Sequence, residues 1–504
     1  MYPGAYDPDR PAVVTADGTR ALSYGQLEER SLRLADHLRA AGLRRGDHLA
    51  LLCDNDPRAL EIYWAAMRSG LYLTAVNHHL SDDEAAYIVR DCGAGVLIVS
   101  GALTELGERV RELAGGPALL LGLDDGTYEK ALADAPALPP DRQPLGADML
   151  YSSGTTGRPK GVRPVLPEGD VRDRPTTYTA VFQTMYGFGE DTVYLSPAPI
   201  YHAAPLRFCA VVTALGGTVV LMDAFEAEGA LAAVERHRVT HSQWVPTMFV
   251  RMLKLPAEVR ERYDLSSMRT AIHAAAPCPV EVKRRMMEWW GPILYEYYSS
   301  TEGNGITFIS PEEWLRKPGS VGRDGFLGIL RICDEEGRVL GPGETGTVYF
   351  ERDEPPFRYH GDEARTREAQ HPDHPNWTTT GDIGHVDEDG YLFLTDRKAF
   401  MIISGGVNVY PQETEDVLVL HPAVADVAVV GVPDAEMGEA VKAVVQVEEG
   451  IAAGPGLERE LIDFVRERLA HYKAPRTVDF TDRLPRTPTG KLAKARLREA
   501  YRRG

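Results

Sequence analysis

Basic surplus, patterned cysteine and long apolar runs are what this sequence has least of. Its 504 residues carry 55 Lys+Arg against 74 Asp+Glu, a net charge of −19. So acidic a chain is a poor default match for nucleic acid or anionic membrane, because both need basic surface. An anionic substrate has to be drawn in locally, by a few cations and by backbone N–H groups. The five cysteines, Cys53, Cys92, Cys209, Cys278 and Cys333, are far apart and form no CxxC pair. That pattern argues against a zinc site or a disulfide framework and fits a reducing cytoplasm. No stretch approaches the roughly 20 apolar residues of a membrane span. The N-terminal "MYPGAYDPDRPAVV" sets acids and prolines where a signal peptide needs an apolar run. The expectation is a cytoplasmic chain with no transmembrane segment and no nucleic-acid partner.

What remains is ordinary globular material, 43% apolar and 26% charged, of a length that predicts two or three domains. Up to about residue 150, helical and strand patterns alternate. "LSYGQLEERSLRLADHLRAAGL" repeats apolar residues every three or four positions, with Ser23 and the nearby Glu28 and Glu29 as a loose helix start. "DHLALLCDN" is a short apolar run closed by Asp and Asn, and "YIVRDCGAGVLIVS" is helix, glycine, strand. The alternation predicts a parallel sheet covered by helices. Residues 114–146 read as an irregular surface connection. From about Gly319 the texture shifts to short alternating strands with Gly/Asp turns, which predict antiparallel hairpins. A small α+β module begins near Asp396. No internal repeat or low-complexity run interrupts this order.

One stretch stands apart. "YSSGTTGRPKGV", Tyr151 to Val162, holds almost nothing that can pack. Glycines at 154, 157 and 161 allow close backbone approach. Ser152, Ser153, Thr155 and Thr156 add donors, and Lys160 adds charge, which is what phosphate oxygens require. It is not a Walker A loop, since Lys160 is followed by Gly161 and preceded by Pro159. On residue type alone, an exposed loop has the same look.

The spacing of this loop resembles the phosphate loop of the adenylate-forming superfamily, which includes acyl-CoA synthetases, adenylation domains of peptide synthetases and beetle luciferases. Four further segments resemble that family's motifs in order: "YYSSTEG" (297–303), "TTGDIG" (379–384), "DRKAFMIISGGVNVYPQETE" (396–415) and "PRTPTGKLAK" (485–494). The resemblance implies an α/β fold with a large N-terminal domain of layered sheets and helices (αβαβα), a β-rich subdomain and a small mobile C-terminal α+β domain. It places the AMP-binding domain at 1–395, a hinge at 396–399 and the mobile domain at 400–504. It also implies a two-step reaction: a carboxylate attacks the α-phosphate of ATP, giving acyl-AMP and pyrophosphate, and a thiol then attacks the acyl-AMP carbonyl.

Carried over residue by residue, the resemblance assigns catalysis to Lys160, Thr301, Glu302 and Lys491. Glu302, a hard oxygen ligand, would hold Mg²⁺. Nucleotide contacts fall to Ser152, Ser153, Gly154, Thr155, Thr156 and Gly157, to the small loop Ala275, Ala276 and Pro277, and to Ser299 and Ser300. Tyr298, or its neighbour Tyr297, would stack on adenine. Asp382 would accept both ribose hydroxyls and Arg397 would be the second ribose contact. By charge alone Lys491 is one of many solvated lysines, and only the motif singles it out. Gly405 and Gly406 would line a pantetheine tunnel for coenzyme A. Two positions depart from the family pattern. Ala399 stands at the hinge where Asp or Lys is usual, and Ser299 replaces a glycine.

In "PIYHAAPLRF" there is no acid of the kind that pairs with a substrate ammonium in amino-acid-activating relatives, so an α-amino substrate is not expected. His202 corresponds to the family's aromatic gate beside the acyl carboxylate. Ala203, Trp244 and Met248 are the candidate pocket lining. A medium- or long-chain fatty acid is the simplest substrate, and a bulky apolar or aromatic acid fits the same chemistry. No carrier segment with a modifiable serine follows Lys491, which favours coenzyme A as the thiol. The alternatives are loading of a separate carrier protein, and a non-catalytic module that binds AMP or acyl-CoA. By resemblance alone, a homodimer is the common assembly.

Overall fold

A computed structural model describes residues 2–117, 119–136, 141–152, 159–173, 177–397, 400–404, 407–434, 437–486, 492 and 494–503. Among these, the chain forms five sheets. The largest has nine strands, ordered Arg323–Leu327, Ile306–Ile309, Leu294–Ser299, Thr270–His273, His241–Trp244, Val193–Ser196, Thr218–Leu221, Pro11–Thr15, Ala21–Ser23. Its centre is parallel and its edges are antiparallel. A second sheet is wholly parallel, in the order Leu119–Gly122, Ala94–Val99, His48–Leu52, Tyr72–Val76, Ala147–Asp148. "HLALL" and "YLTAV" are buried along their whole length, as expected of strands covered on both faces.

The two parallel sheets sandwich a helical layer. Helices Tyr24–Ala40, Arg58–Met67 and Ala203–Ala214 pack their apolar stripes between Val13, Tyr194 and Val219 of one sheet and Leu49, Leu73 and Val96 of the other. Outside the nine-stranded sheet lie Ala227–His237, Pro246–Leu253 and Val280–Trp290. Outside the five-stranded sheet lie Asp82–Asp91 and Thr104–Leu113. The layering is therefore αβαβα. The first helix starts at Ser23, whose Oγ accepts the Gln26 N–H while the Gln26 side chain accepts the Ser23 N–H, a capping box. Its acidic partner is thus neither Glu28 nor Glu29. Glu28 instead pairs with the fully buried Arg68.

Residues 114–146 are more regular than the sequence predicts. Leu119–Gly122 forms the edge of the five-stranded sheet, and Thr127–Asp134 is a helix beside Tyr24–Ala40. Both pieces are only four to eight residues long, too short for periodicity to declare them.

After Gly319 come antiparallel strands. Ile329–Cys333, Gly346–Glu351, Asp382–Val386 and Leu392–Arg397 form one sheet. A three-stranded sheet joins Leu150–Ser152, Lys160–Pro164 and Phe357–Tyr359. The last sheet, Val407–Val409, Ile402–Ser404, Gly438–Val447 and Val424–Asp434, with Thr477–Phe480 alongside, has its own core around Leu418, Val429, Val445, Leu461 and Val465. Lys254 ties this unit to the outer helices by donating to the Val424 carbonyl at 2.5 Å and to Glu448. No helix among the described residues is long and apolar enough to cross a membrane.

The turn after Leu294–Ser299 rests on the β-rich sheet. A Cβ on Gly305 would lie 2.0 Å from Phe350 Cδ1, and Phe350 is fully buried. Gly305→Ala is expected to destabilise the protein by about 3 kcal/mol through overpacking, read as a lower denaturation midpoint. An unchanged midpoint would mean that the turn stands clear of Phe350.

Candidate active site

The C-terminal ends of the parallel strands carry most of the sequence-predicted residues, as open α/β sheets place their ligands. Val193–Ser196 leads to His202, Thr270–His273 to Ala275–Pro277, and Leu294–Ser299 to Thr301 and Glu302.

Lys160 is set by a hairpin. Ser152 pairs with Lys160 and Tyr151 with Gly161. Ser153, Gly154, Thr155, Thr156 and Gly157 lie outside the described residues. Gly161, read from sequence as a place for phosphate approach, has a packing reason. A Cβ there would meet Met149 Cε at 2.6 Å and Tyr151 Cζ at 3.0 Å. The Tyr151 hydroxyl donates to Asp91 Oδ2 at 2.6 Å.

Phe357–Tyr359 pairs with the other side of this hairpin and sets the Tyr359 ring 5.0 Å from Lys160 Nζ. Tyr359 Oη donates to Glu302 Oε1 at 3.0 Å. Lys160, Tyr359 and Glu302 therefore form one line. Burial, and then the Arg365 guanidinium, hold the Lys160 amine below the ordinary lysine range, while Glu302, Asp362 and Glu368 oppose that shift. A cation so placed is stabilised by an arriving polyanion. Among the described residues no three His, Cys, Asp or Glu side chains gather to hold a metal. A single carboxylate such as Glu302 matches Mg²⁺, which binds through one or two carboxylates together with substrate phosphates and water.

The turn holding Thr301 and Glu302 is internally braced. Ser299 Oγ donates to the Gly305 carbonyl at 2.7 Å, and Ser300 Oγ donates to Asn304 Oδ1 at 2.8 Å. The serine that replaces the family's glycine thus spends its hydroxyl inside the turn. Neighbouring strand residues face opposite ways, and this separates the two tyrosines. Tyr298 stacks on Phe350, with ring centres 6.1 Å apart, and donates to Asp382 Oδ2 at 2.7 Å. Thr380 Oγ1 donates to the same oxygen at 2.8 Å. Asp382 lies directly opposite Arg397 in the antiparallel ladder. Tyr297 instead stacks on Phe208 of the Ala203–Ala214 helix. Tyr298, Asp382 and the Arg397 backbone are brought together.

Ala275, Ala276 and Pro277 are exposed at the end of their strand. Ala275 has φ +76°, a left-handed conformation that costs an alanine on the order of 1 kcal/mol relative to glycine. Their strand and its neighbour hold a group that sequence reasoning missed. Lys283 Nζ donates to Glu296 Oε2 at 2.7 Å, with His273 Nε2 3.4 Å from the same oxygen, and all three side chains are buried. Burial pushes Lys283 and His273 down and Glu296 up. Tyr359 was missed as well, because a tyrosine in "FRYHGD" carries no local signal of what it touches.

His202 precedes the Ala203–Ala214 helix, edge-on to Tyr201 with ring centres 4.5 Å apart. Ala203 and Ala204 pack on the central apolar cluster. Trp244 packs in the outer core. It is fully buried, its indole N–H donates to Ser242 Oγ at 2.6 Å, and Phe225, Phe249 and Trp290 surround it. The alternation of His241–Trp244 points Trp244 away from the helix of Ala203. Met248 belongs to the same outer core. Lys491, Gly405, Gly406 and Ala399 lie outside the described residues.

Residues 4–354 match the family described as AMP-binding enzyme, and 413–491 match its C-terminal domain. The chain is 36% identical to feruloyl-CoA synthase of an Amycolatopsis species, over 97% of this chain and 96% of that one. It is 32% identical to the long-chain-fatty-acid–CoA ligase FadD13 of Mycobacterium tuberculosis, over 95% and 93%. Among solved structures it resembles ATP-bound MatB from Rhodopseudomonas palustris, with TM-score 0.82 and 30% identity over 98% and 96% of the two chains. The chain belongs to the AMP-binding enzyme family. It is an AMP-forming acid–thiol ligase that works with ATP, Mg²⁺ and coenzyme A.

Glu302→Gln keeps the size of the side chain and removes its charge. Carboxylate-dependent pyrophosphate release is expected to fall by about 10²–10³-fold, as for loss of one preorganised electrostatic contact. Activity within twofold of the parent would remove Glu302 from the phosphate site.

Proposed function

We propose that this ligase activates an aromatic carboxylic acid and passes the acyl group to coenzyme A. The observation that carries the substrate class is the aromatic cluster packed beside Ala203 and Ala204. Phe182, Tyr186 and Tyr297 surround Phe208, with ring centres 4.5–6.1 Å away, on the helix that starts after His202. Stacked and edge-on rings of this kind suit a flat aromatic guest. The feruloyl-CoA synthase relative supports the same class. A medium- or long-chain fatty acid is the second reading, favoured by the FadD13 relative.

In this reading the substrate carboxylate sits beside His202. Its oxygen attacks the α-phosphorus, the bond to the bridging oxygen breaks, and pyrophosphate leaves. Lys160 and the phosphate loop hold the departing phosphates. Mg²⁺ bound through Glu302 supplies charge neutralisation there. Tyr298 and the Ala275–Pro277 loop hold adenine, while Asp382 and Arg397 hold ribose. Lys491 bridges carboxylate and phosphate in the first step. In the second step the coenzyme A thiolate attacks the acyl carbonyl carbon and AMP leaves. Residues 1–395 form the AMP-binding domain, 396–399 the hinge and 400–504 the mobile domain, with Gly405 and Gly406 on the pantetheine path. A cytoplasmic location and a homodimer complete the reading by resemblance alone.

Pyrophosphate release with a panel of acids, with and without coenzyme A, tests it. Benzoic, phenylacetic and cinnamic acids are expected to exceed straight-chain acids of eight to sixteen carbons by about tenfold or more in kcat/KM. The reverse order would overturn the aromatic reading. Release without any acyl-CoA product would move the thiol to a carrier protein, and no release with any acid would leave a binding module. Separately, Lys491→Ala is expected to lose adenylation by about 10²–10³-fold while still making thioester from supplied acyl-AMP. Equal loss of both half-reactions would contradict the division of labour between the steps.

A further inference from the structure

The corner that carries His202 is held by a side chain from the other sheet. "PAPIYH", 197–202, joins the strand Val193–Ser196 to the helix Ala203–Ala214. Pro197 and Pro199 have no backbone N–H to give, so the segment is poorly equipped to brace itself. Asn55 supplies the brace. Its Nδ2 donates to the Ala198 carbonyl at 3.3 Å and to the Met222 carbonyl at 2.7 Å, and its Oδ1 accepts the Ile200 N–H at 2.9 Å. Two acceptors and one donor match a carboxamide, which offers both kinds of group, and they match it in one orientation only. Asn55 is buried, and backbone groups left unpaired in such a setting are costly.

The turn that holds Asn55 reaches the same corner by a second route. It follows the strand His48–Leu52 of the five-stranded sheet. His78, just past the neighbouring strand Tyr72–Val76, hydrogen-bonds to the Cys53 backbone. The His78 ring lies edge-on to Tyr201, with centres 5.2 Å apart, and Tyr201 lies edge-on to His202 at 4.5 Å. Asn55 thus grips the corner at Ala198 and Ile200, and His78 steadies it at Tyr201. His202 itself opens the helix through its carbonyl, which accepts the Leu206 N–H at 3.1 Å, while its side chain makes no capping bond. The ring takes its place from the corner and not from the helix end. In the sequence Asn55 reads only as the polar close of a strand.

We infer that Asn55 is a positioning residue for the carboxylic acid: its carboxamide fixes the corner Ala198–Tyr201 and, through it, the His202 ring. This rests on the reading that places the substrate carboxylate beside His202. Asn55 touches neither substrate nor nucleotide and acts through His202. A carboxylate oxygen has to stand in line with the α-phosphorus, and a displacement of about 1 Å at such a site costs about 10²-fold. Lys160, Tyr298 and Glu302 stand on other strands and turns, so the hold on ATP does not depend on this corner.

The test is a double-mutant cycle read in pyrophosphate release. KM for the acid and KM for ATP are measured in the parent, Asn55→Asp and Asn55→Ser, each with and without His202→Ala. The acid is whichever of benzoic, phenylacetic, cinnamic and octanoic acids the parent uses best. Asn55→Asp keeps the size of the side chain and sets an anionic oxygen against the Ala198 and Met222 carbonyls; Asn55→Ser is the milder change, too short to span the three groups. The ratio of KM for the acid to KM for ATP is expected to rise about tenfold or more in an Asn55 variant. With His202 already alanine the rise is expected to fall below about twofold, because residues that act through one another are not additive. Neither KM depends on how much of the enzyme is folded, so a loss of folded protein does not imitate the effect. An unchanged ratio in both Asn55 variants, or a full rise that persists beside His202→Ala, overturns the proposal and leaves His202 at the carboxylate. An unchanged ratio in His202→Ala alone, or no release by the parent with any of the acids, overturns both.

Discussion

Two anions, a carboxylate and a triphosphate, have to meet inside a chain that is itself strongly acidic. Everything at the site answers that repulsion. The global charge matters little at this range, because ionic strength screens exposed charges beyond about 8 Å. What matters is a cation within contact distance in a partly dry setting. At 4 Å a unit-charge pair gains about 1 kcal/mol in water but about 4 kcal/mol at an effective dielectric of 20. Lys160 is in the second situation. It is half-buried, its proton is held less tightly than in water, and the ladder to Ser152 and the ring of Tyr359 fix where it stands. The hydroxyl of Tyr359 then fixes Glu302. One tyrosine sets the spacing between the cation and the carboxylate.

The strand Leu294–Ser299 divides the chemistry in two. Its period-two alternation sends Tyr298 toward Asp382 and Tyr297 toward Phe208. The two tyrosines thus leave opposite faces of one strand, and the turn carrying Thr301 and Glu302 lies at its end. A change of register by one residue would exchange the two tyrosines. The brace at Gly305, where Phe350 leaves no room for a Cβ, holds that register where the strand stops.

The fold class was legible in the sequence, from the alternation of helix and strand patterns and from the order of the motifs around Lys160, Glu302 and Asp382. The packing of the aromatic residues was not legible. The strand His241–Trp244 is buried on both faces, so its sequence shows no alternation, and Trp244, its most conspicuous residue, packs into the outer core. Tyr186 and Tyr194 pack instead into the central layer with Phe208. The partnership of Tyr359 with Glu302 spans 57 positions, and pairing of that kind leaves no local trace.

Ala275 shows the same site from the side of backbone strain. An alanine at φ +76° persists only where its surroundings over-determine it. Those surroundings are the closely packed strand ends on which Glu296 is held by the fully buried Lys283, with His273 Nε2 3.4 Å from the same carboxylate oxygen. Breaking such a pair by removing one partner is costly, because it strands the other charge in a dry interior. The loop is therefore rigid for a reason independent of nucleotide. The exposed Ala275, Ala276 and Pro277 present small side chains and bare backbone to whatever lies on them, and a planar base is what such a surface accommodates without rearrangement.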